Sequence, residues 1–294
     1  MAFREWKINY SMKVFIFSDT HWALGRIHRD VMRQLNHHEV RYSDWATYNF
    51  QEFVNNYEWC DKCITNLVAY HALKPGFPFL DLKKCIFVSH GAVEHEGIEY
   101  NSSLTYGMVS DCLKDFFPEP ITPFLMPNGV DPDTFTYTER DGILNSLGWC
   151  GAPHVASKQV EWAHEISKQT NIPLKMATNL TYDEVKDWYH TIDLLIVTAV
   201  PIAYKETGPL PPFEAIVSGV PVIGTPVGNF RHIPGPKFKT IEEAVSLINH
   251  FKQHPEELKE LAKTQYDFVI NNFSYKVLAP YWDAAIKMET FRVT

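Results

Sequence analysis

The fold of this chain is decided by the stretch Glu206-Thr207-Gly208-Pro209-Leu210-Pro211-Pro212-Phe213-Glu214. A carboxylate stands at each end, a glycine- and proline-rich turn separates the two, and an apolar segment follows at residues 215–217. This order predicts a loop that leads into the start of a helix, where backbone N–H groups can bind an anion. Carboxylates in the same place can accept hydrogen bonds from paired hydroxyl groups. Because hydroxyl and phosphate groups occur together in sugar nucleotides, the stretch predicts a sugar-nucleotide ligand.

Segments on both sides of this stretch indicate alternating strands and helices. Residues 194–197 are consecutive aliphatic side chains, which is typical of a strand buried on both faces. In the first half, a strand pattern at residues 13–18 precedes a loop containing Gly25 and then apolar residues at helical spacing. Further strands are predicted at 39–42, 62–65 and 84–88, and a helix is predicted at 105–117. The alternation predicts an α/β fold with parallel, doubly wound sheets.

The composition limits the classes of protein that need to be considered. Hydrophobic residues make up 45% of the 294 residues, and the formal net charge of -8 argues against a general nucleic-acid-binding protein. No apolar run approaches the roughly 20 residues that span a membrane, and the charged residues in the segment 1–12 are not typical of a signal peptide. The five cysteines are odd in number and irregular in spacing, which argues against a disulfide framework. We therefore expect a cytoplasmic protein.

Four landmarks follow one another in the second half of the chain. They are the turn at 127–135, the segment Gly148-Trp149-Cys150-Gly151 with Lys158 after it, the strand from Asp193, and the pair Glu206 and Glu214. In this order they resemble the E-x7-E motif and its surroundings in retaining glycosyltransferases of family four (group 1), which have the two-domain B-type fold (GT-B). The resemblance is good from Leu125 to the C-terminus and weak before it.

The resemblance implies two Rossmann-like, doubly wound domains that face each other across a cleft. Residues 1–135 would form an acceptor-side domain, residues 136–275 a nucleotide-sugar (donor) domain, and residues 276–294 a helix that crosses back to the first domain. The implied activity is transfer of a hexosyl or pentosyl group from a nucleoside-diphosphate sugar to an acceptor hydroxyl, with retention of configuration. The implied enzyme needs no cofactor and no metal ion.

The same resemblance assigns roles to individual residues. Glu214 would bind the nucleotide ribose, Glu206 would lie near the donor sugar and diphosphate, and Lys158 would face the diphosphate. His90 follows the predicted strand at 84–88, and a histidine in that place would contact the donor sugar. The expected catalytic residues are His90, Glu206 and Lys158. The expected donor-binding residues are Gly25, Trp149, Gly151, Lys158, Gly208, Leu210 and Glu214.

Two departures from the family pattern bear on the diphosphate. The family usually pairs an arginine with the lysine, but Ala152 or Pro153 stands in that place, which leaves Arg231 as one candidate substitute. Pro209 stands where glycine is frequent, and proline has no N–H to donate to a phosphate. These departures keep open a non-catalytic binding subunit as an alternative.

Three arginines in the first half suggest the chemistry of the acceptor. Arg26, Arg29 and Arg33 have the spacing i, i+3, i+7, so they share one face of the predicted first helix. On the acceptor side of the fold, this face would suit an anionic acceptor, either a hydroxylated DNA base or an envelope glycan or lipid. The alternative is a solvated helix face.

Two other classes of enzyme are compatible with parts of the sequence. Sugar-nucleotide epimerases and phosphorylases share the two-domain architecture, so the fold alone does not exclude them. The segment Asp19-Thr20-His21 resembles the D-x-H opening of metallophosphoesterases, which bind two metal ions. The Gly-Asp and Gly-Asn-His segments that such a site also requires are absent from the sequence.

Overall fold

The structure is a computed structural model that describes residues 10–19, 23–200 and 207–289. It contains two separate parallel β-sheets with helices packed against them. The first sheet has the strand order β2-β1-β3-β4-β5-β6, and the second has the order β10-β9-β7-β8. The predicted α/β class with two doubly wound parallel sheets is therefore confirmed.

The strands and helices are as follows. The first sheet consists of β1 (Lys13–Ser18), β2 (Glu39–Asp44), β3 (Lys62–Asn66), β4 (Cys85–Ser89), β5 (Thr105–Met108) and β6 (Phe124–Leu125). The second sheet consists of β7 (Leu147–Cys150), β8 (Leu174–Ala177), β9 (Leu194–Val197) and β10 (Val222–Gly224). The α-helices are α1 (Ala23–Gln34), α2 (Phe50–Trp59), α3 (Ala69–Gly76), α4 (Val160–Thr170), α5 (Tyr182–Tyr189), α6 (Pro211–Val217), α7 (Ile241–Gln253), α8 (Pro255–Phe273) and α9 (Tyr275–Lys287).

Each sheet has one strand at which the strand order reverses. In the first sheet β1 lies between β2 and β3, and in the second β7 lies between β8 and β9. In open α/β sheets, ligands bind beyond the carboxyl ends of the strands at such a reversal. The chain that follows β1 leads into α1, and the chain that follows β7 leads to Lys158. A ligand site is therefore expected beyond the carboxyl ends of β1 and β7.

Two local predictions were wrong. Residues 105–117 were predicted to be helical, but β5 and a 3-10 helix, Asp111–Phe116, occupy this range. The reason is tertiary, because Thr105 to Met108 pair with β4 and are all buried. Gly25 was predicted to lie in a loop, but it is buried near the start of α1.

The chain passes between the two sheets at two places that lie side by side. The N–H of Val130 donates to the Phe273 carbonyl, and the N–H of Tyr275 donates to the Val130 carbonyl, both at 3.0 Å. A Cβ atom on Gly129 would lie 2.3 Å from the Phe273 carbonyl oxygen, so only glycine fits there. After this point α9 packs into the core of the first sheet, where the Trp282 indole donates to the Pro127 carbonyl at 3.1 Å. The domain limits at residues 135 and 275 stay a prediction.

Side chains near the end of α9 fasten it to the first domain. The Asp283 carboxylate lies 2.9 Å from Nε2 of His38 and 3.2 Å from Nε2 of His37, and Lys287 donates to it at 2.8 Å. His38 Nδ1 accepts the N–H of Met12 at 3.1 Å, so the neutral ring carries its proton on Nε2 and donates it to Asp283. This arrangement leaves no lone pair on Nε2 for a metal ion, although the three residues have ligand-like spacing.

The Asp283 cluster makes the free energy of unfolding depend on pH in the acid range. Burial opposes ionisation, but hydrogen bonds from His38 and Lys287 lower the pKa of Asp283 to about 2. As the pH falls, Asp283 therefore takes up its proton in the unfolded chain at a higher pH than in the folded protein. The stabilisation by ionised Asp283 is present above about pH 4 and is lost as the pH falls toward 2. We expect Asp283→Asn to lower the free energy of unfolding at pH 7 by about 2 kcal/mol and to flatten its acid dependence.

Urea unfolding at several pH values measures both effects. Asp187→Asn removes an exposed aspartate from α5 and serves as the control, for which neither quantity should change. Wild-type stability of Asp283→Asn at pH 7 would contradict the anchoring role.

None of the helices in the described part of the chain is both long and apolar enough to cross a bilayer.

Candidate functional site

A cavity of about 510 Å³ lies between the two domains, at the strand ends where the order reverses. The first domain contributes Arg26 and Arg29 from α1 and His90 from the residue after β4. The second domain contributes Lys158 and Glu214. All five of these residues were predicted for the site. Two further predicted residues, Gly208 and Leu210, line the same cavity. Glu206 lies outside the described residues, so its role stays a prediction.

Glu214 is a buried carboxylate in the wall of this cavity. It lies in the first turn of α6 and is only 5% exposed. Its Oε2 accepts the hydroxyl of Tyr189 at 2.8 Å, and its Oε1 is paired with the guanidinium of Arg26. Burial and the charge of Glu214 raise the pKa of Tyr189 well above its usual value, so Tyr189 stays a donor. The carboxylate is thus held in one orientation by a partner on each oxygen.

Arg26 crosses from the first domain to reach Glu214. Its guanidinium also lies over the ring of Tyr182, 4.2 Å from the ring centre. Burial opposes its charge, but the Glu214 carboxylate raises the pKa of Arg26 above its usual value. Arg26 therefore contacts the second domain across the cavity, and the acceptor-side role predicted for it stays a prediction.

The three arginines of α1 consequently do not form one uniform surface. Arg26 and Arg29 line the cavity, whereas the side chain of Arg33 is 59% exposed and donates to Asp30 at 2.9 Å. The helical spacing was read correctly from the sequence, but the partners of each arginine depend on what packs against α1.

Lys158 is positioned by the backbone around it. It ends the 3-10 helix Ala156–Lys158, and its carbonyl accepts the hydroxyl of Thr198 at 2.8 Å. The same hydroxyl accepts the indole N–H of Trp149 at 3.0 Å. A Cβ atom on Gly151 would lie 3.2 Å from the Trp149 ring, which is tight, and 3.6 Å from Cδ of Lys158, which is an ordinary contact.

Trp149 and Gly25, both predicted to bind the donor, are buried in the structure. Trp149 is 2% exposed and supports Lys158 through Thr198. Gly25 lies within α1, next to Arg26. The donor-binding roles of these two residues stay predictions.

The loop before α6 is fixed to the chain that joins the two domains. The Asn128 amide donates to the Gly208 carbonyl at 3.1 Å, and a Cβ atom on Gly208 would lie 2.6 Å from that amide nitrogen. Leu210, only 7% exposed, follows in the cavity wall, and Pro211 begins α6 at a position where proline is favoured. The loop thereby presents Glu214 to the cavity.

His90 lines the cavity, and both nitrogens of its ring are buried. Burial, and then the neighbouring His28, lower the pKa of His90 well below its usual value. Its ring nitrogens have no hydrogen-bond partner among the described residues, and its ring lies edge-on to His28 with centres 5.9 Å apart. Burial, and then the charge of Arg29, lower the pKa of His28 to about 3. The backbone of His90 is fixed because its N–H donates to Glu94 at 2.7 Å and its carbonyl accepts the Thr207 hydroxyl.

Arg231, the candidate second cation for a diphosphate, is engaged elsewhere. It donates to Asp111 of the first domain at 2.6 Å, and His232 lies 3.6 Å from the same carboxylate. In the described part of the chain, the cavity wall contains Arg26 and Arg29 instead. The residues that the sequence did not indicate are Tyr182, Tyr189 and Asn128. Only Asn128 had a local signal, since it belongs to the turn at 127–135.

Solved structures with this fold were found by comparison. HepE of Anabaena in complex with UDP and glucose has a TM-score of 0.69 and 11% identity, covering 94% of this chain and 99% of that one. Sucrose-phosphate synthase of Thermosynechococcus elongatus has a TM-score of 0.64 and 10% identity over 94% and 98% of the two chains. The catalytic domain of Arabidopsis thaliana starch synthase IV, bound to ADP and acarbose, has a TM-score of 0.63 and 11% identity over 95% and 99%.

These comparisons establish the fold and nothing finer, because the identities are low. The chain has the GT-B fold that the three structures share. No protein-family profile and no curated protein sequence matches the chain.

Proposed function

We propose that the protein is a retaining glycosyltransferase, similar to family four, that uses a nucleoside-diphosphate sugar. The observation that carries the proposal is the placement of a buried carboxylate, Glu214, and a cation, Lys158, in the wall of one interdomain cavity. A carboxylate suits the paired hydroxyls of a ribose, and a cation suits the diphosphate attached to it. Complexes of HepE with UDP and of starch synthase IV with ADP, in the same fold, support this choice of ligand.

The chemistry follows from the charges in the cavity. As the glycosidic bond breaks, negative charge grows on the leaving diphosphate, and Lys158 stabilises it. His90, kept neutral by burial, would contact the donor sugar. In front-face substitution the leaving diphosphate accepts the proton of the acceptor hydroxyl, so no pair of carboxylates needs to flank the scissile bond. Glu206 would act beside the diphosphate.

The acceptor proposal now depends on Arg29 and Arg33, since Arg26 faces Glu214. We retain an anionic acceptor, either a hydroxylated DNA base or an envelope glycan or lipid, and a cytoplasmic location for the reaction. The donor domain comprises residues 136–275 in this proposal, and residues 276–294 return to the acceptor-side domain.

The proposal is tested with labelled donors. The purified protein is incubated with UDP-glucose or ADP-glucose, with and without candidate acceptors, and release of the diphosphate and the anomeric configuration of the product are measured. Transfer with retention supports the proposal. Epimerised sugar without acceptor would replace it with the epimerase alternative, and binding of neither donor would overturn it.

A further inference from the structure

We propose that Arg26 exchanges partners when the donor binds: the ribose takes Glu214, and the guanidinium moves from Glu214 to the diphosphate. The inference rests on the proposed function and adds a determinant of specificity. It makes the site selective for nucleoside diphosphates over nucleosides, because only the former supply a new anion for Arg26.

The first step of the argument is that both oxygens of Glu214 are engaged within the protein. Oε2 accepts from Tyr189 and Oε1 is paired with Arg26. Ribose hydroxyls that donate to Glu214 must therefore compete with the guanidinium. Tyr189 is completely buried behind the carboxylate, whereas Arg26 lines the cavity, so Arg26 is the partner on the ligand side.

The second step concerns the energy of separating the pair. The side chains of Arg26 and Glu214 are 18% and 6% exposed, so the pair is largely shielded from water. Removing one partner of a buried ion pair leaves the other uncompensated, which is strongly unfavourable. A ligand that satisfies only Glu214 would leave Arg26 in this state. A ligand that brings both hydroxyls and phosphates would satisfy both groups.

The third step is that Arg26 lines the same cavity as Lys158, the cation proposed to face the diphosphate. Cys150, at the end of β7, lines that cavity too. A diphosphate held in this cavity would therefore offer Arg26 a new anionic partner. Arginine binds phosphate through two parallel hydrogen bonds, and the Tyr182 ring under the guanidinium provides a surface over which it can turn.

Calorimetric titration of Arg26→Gln separates this exchange from a simple supporting role. UDP, ADP, uridine and adenosine are titrated into the wild type and the variant. We expect the nucleoside diphosphate that binds to lose about tenfold in affinity, because a charged hydrogen bond to phosphate is lost. The corresponding nucleoside should bind about fivefold more tightly, because Glu214 no longer has to be released from Arg26. The opposite signs are the result that a purely structural role would not produce.

The control is Lys168→Gln, which removes one positive charge from an exposed side chain that lines neither side of the cavity. It should leave both affinities within about twofold of wild type. Arg26→Lys keeps the charge and gives a second, milder variant, for which the same two opposite shifts should be smaller. Equal weakening of nucleoside and diphosphate in both Arg26 variants, or no change in either, would overturn the exchange while leaving the proposed function intact. Failure of the wild type to bind any of the diphosphates would overturn both.

Discussion

Lys158→Ala should lower the rate of sugar transfer about a hundredfold and weaken donor binding much less. The reason is that the charge on the leaving diphosphate increases toward the transition state, so a fixed cation is worth more there than in the ground state. The backbone of Lys158 is held because its carbonyl accepts the hydroxyl of Thr198, and Cδ of its side chain lies beside Gly151. Turnover at saturating donor and calorimetric affinity measure the two effects separately.

An exposed lysine in the second domain gives the matched control. Lys168, at the end of α4, has a side chain that is 79% exposed, and Lys168→Ala should behave as wild type. Turnover of Lys158→Ala within about threefold of wild type would show that another cation carries the leaving group. Arg26 would then be the first candidate, because Arg231 is paired with Asp111.

Glu214→Ala should weaken binding of the nucleoside diphosphate by about 1.5–3 kcal/mol, or roughly ten- to a hundredfold in affinity. The variant loses a charged acceptor for the ribose hydroxyls. It also leaves Arg26 without its partner, and a freed guanidinium can contact the diphosphate and reduce the loss. Uridine or adenosine is therefore the cleaner ligand, and its binding should fall below detection. Calorimetry with both kinds of ligand measures the difference.

The double variant Arg26→Gln, Glu214→Gln provides the control for this experiment. It removes both charges of the buried pair, so neither is left uncompensated, and the amide oxygen that replaces the carboxylate can still accept from Tyr189. Thermal unfolding should show a folded protein close to wild type. If the double variant binds nucleosides as tightly as Arg26→Gln alone, Glu214 does not bind the ribose.

Local patterns were enough to predict most elements of the fold. Aliphatic runs such as residues 194–197 and the helical spacing of Ile27, Val31 and Leu35 depend on neighbours in the chain. The segment 105–117 was misjudged because its first residues are held by pairing with β4, which lies elsewhere in the sequence. Elements that depend on such distant partners are the ones that sequence patterns describe least well.

In the candidate site, too, local motifs predicted some residues, whereas contacts between distant parts of the chain were not predicted. Lys158, Gly208 and Glu214 were indicated by motifs, and the structure brings them to one cavity. The pairing of Arg26 with Glu214 joins residues 188 positions apart and depends on how one domain lies against the other. Tyr189 gave no local signal either, because its role comes from the direction in which α5 presents its hydroxyl to Glu214.

The side-by-side passage of the chain at Val130 and Tyr275 has a mechanical consequence. Two domains connected by adjacent chain segments can rotate about those segments as a hinge. The entrance to the cavity then widens while each sheet stays intact. Hinge motions of this kind are absorbed by a few residues at the ends of elements. Close to these passages, Asn229 donates to the Val109 carbonyl at 3.1 Å and Arg231 donates to Asp111 at 2.6 Å. Across the cavity, Arg26 pairs with Glu214 and the Thr207 hydroxyl donates to the His90 carbonyl, so a wider opening must break these contacts as well.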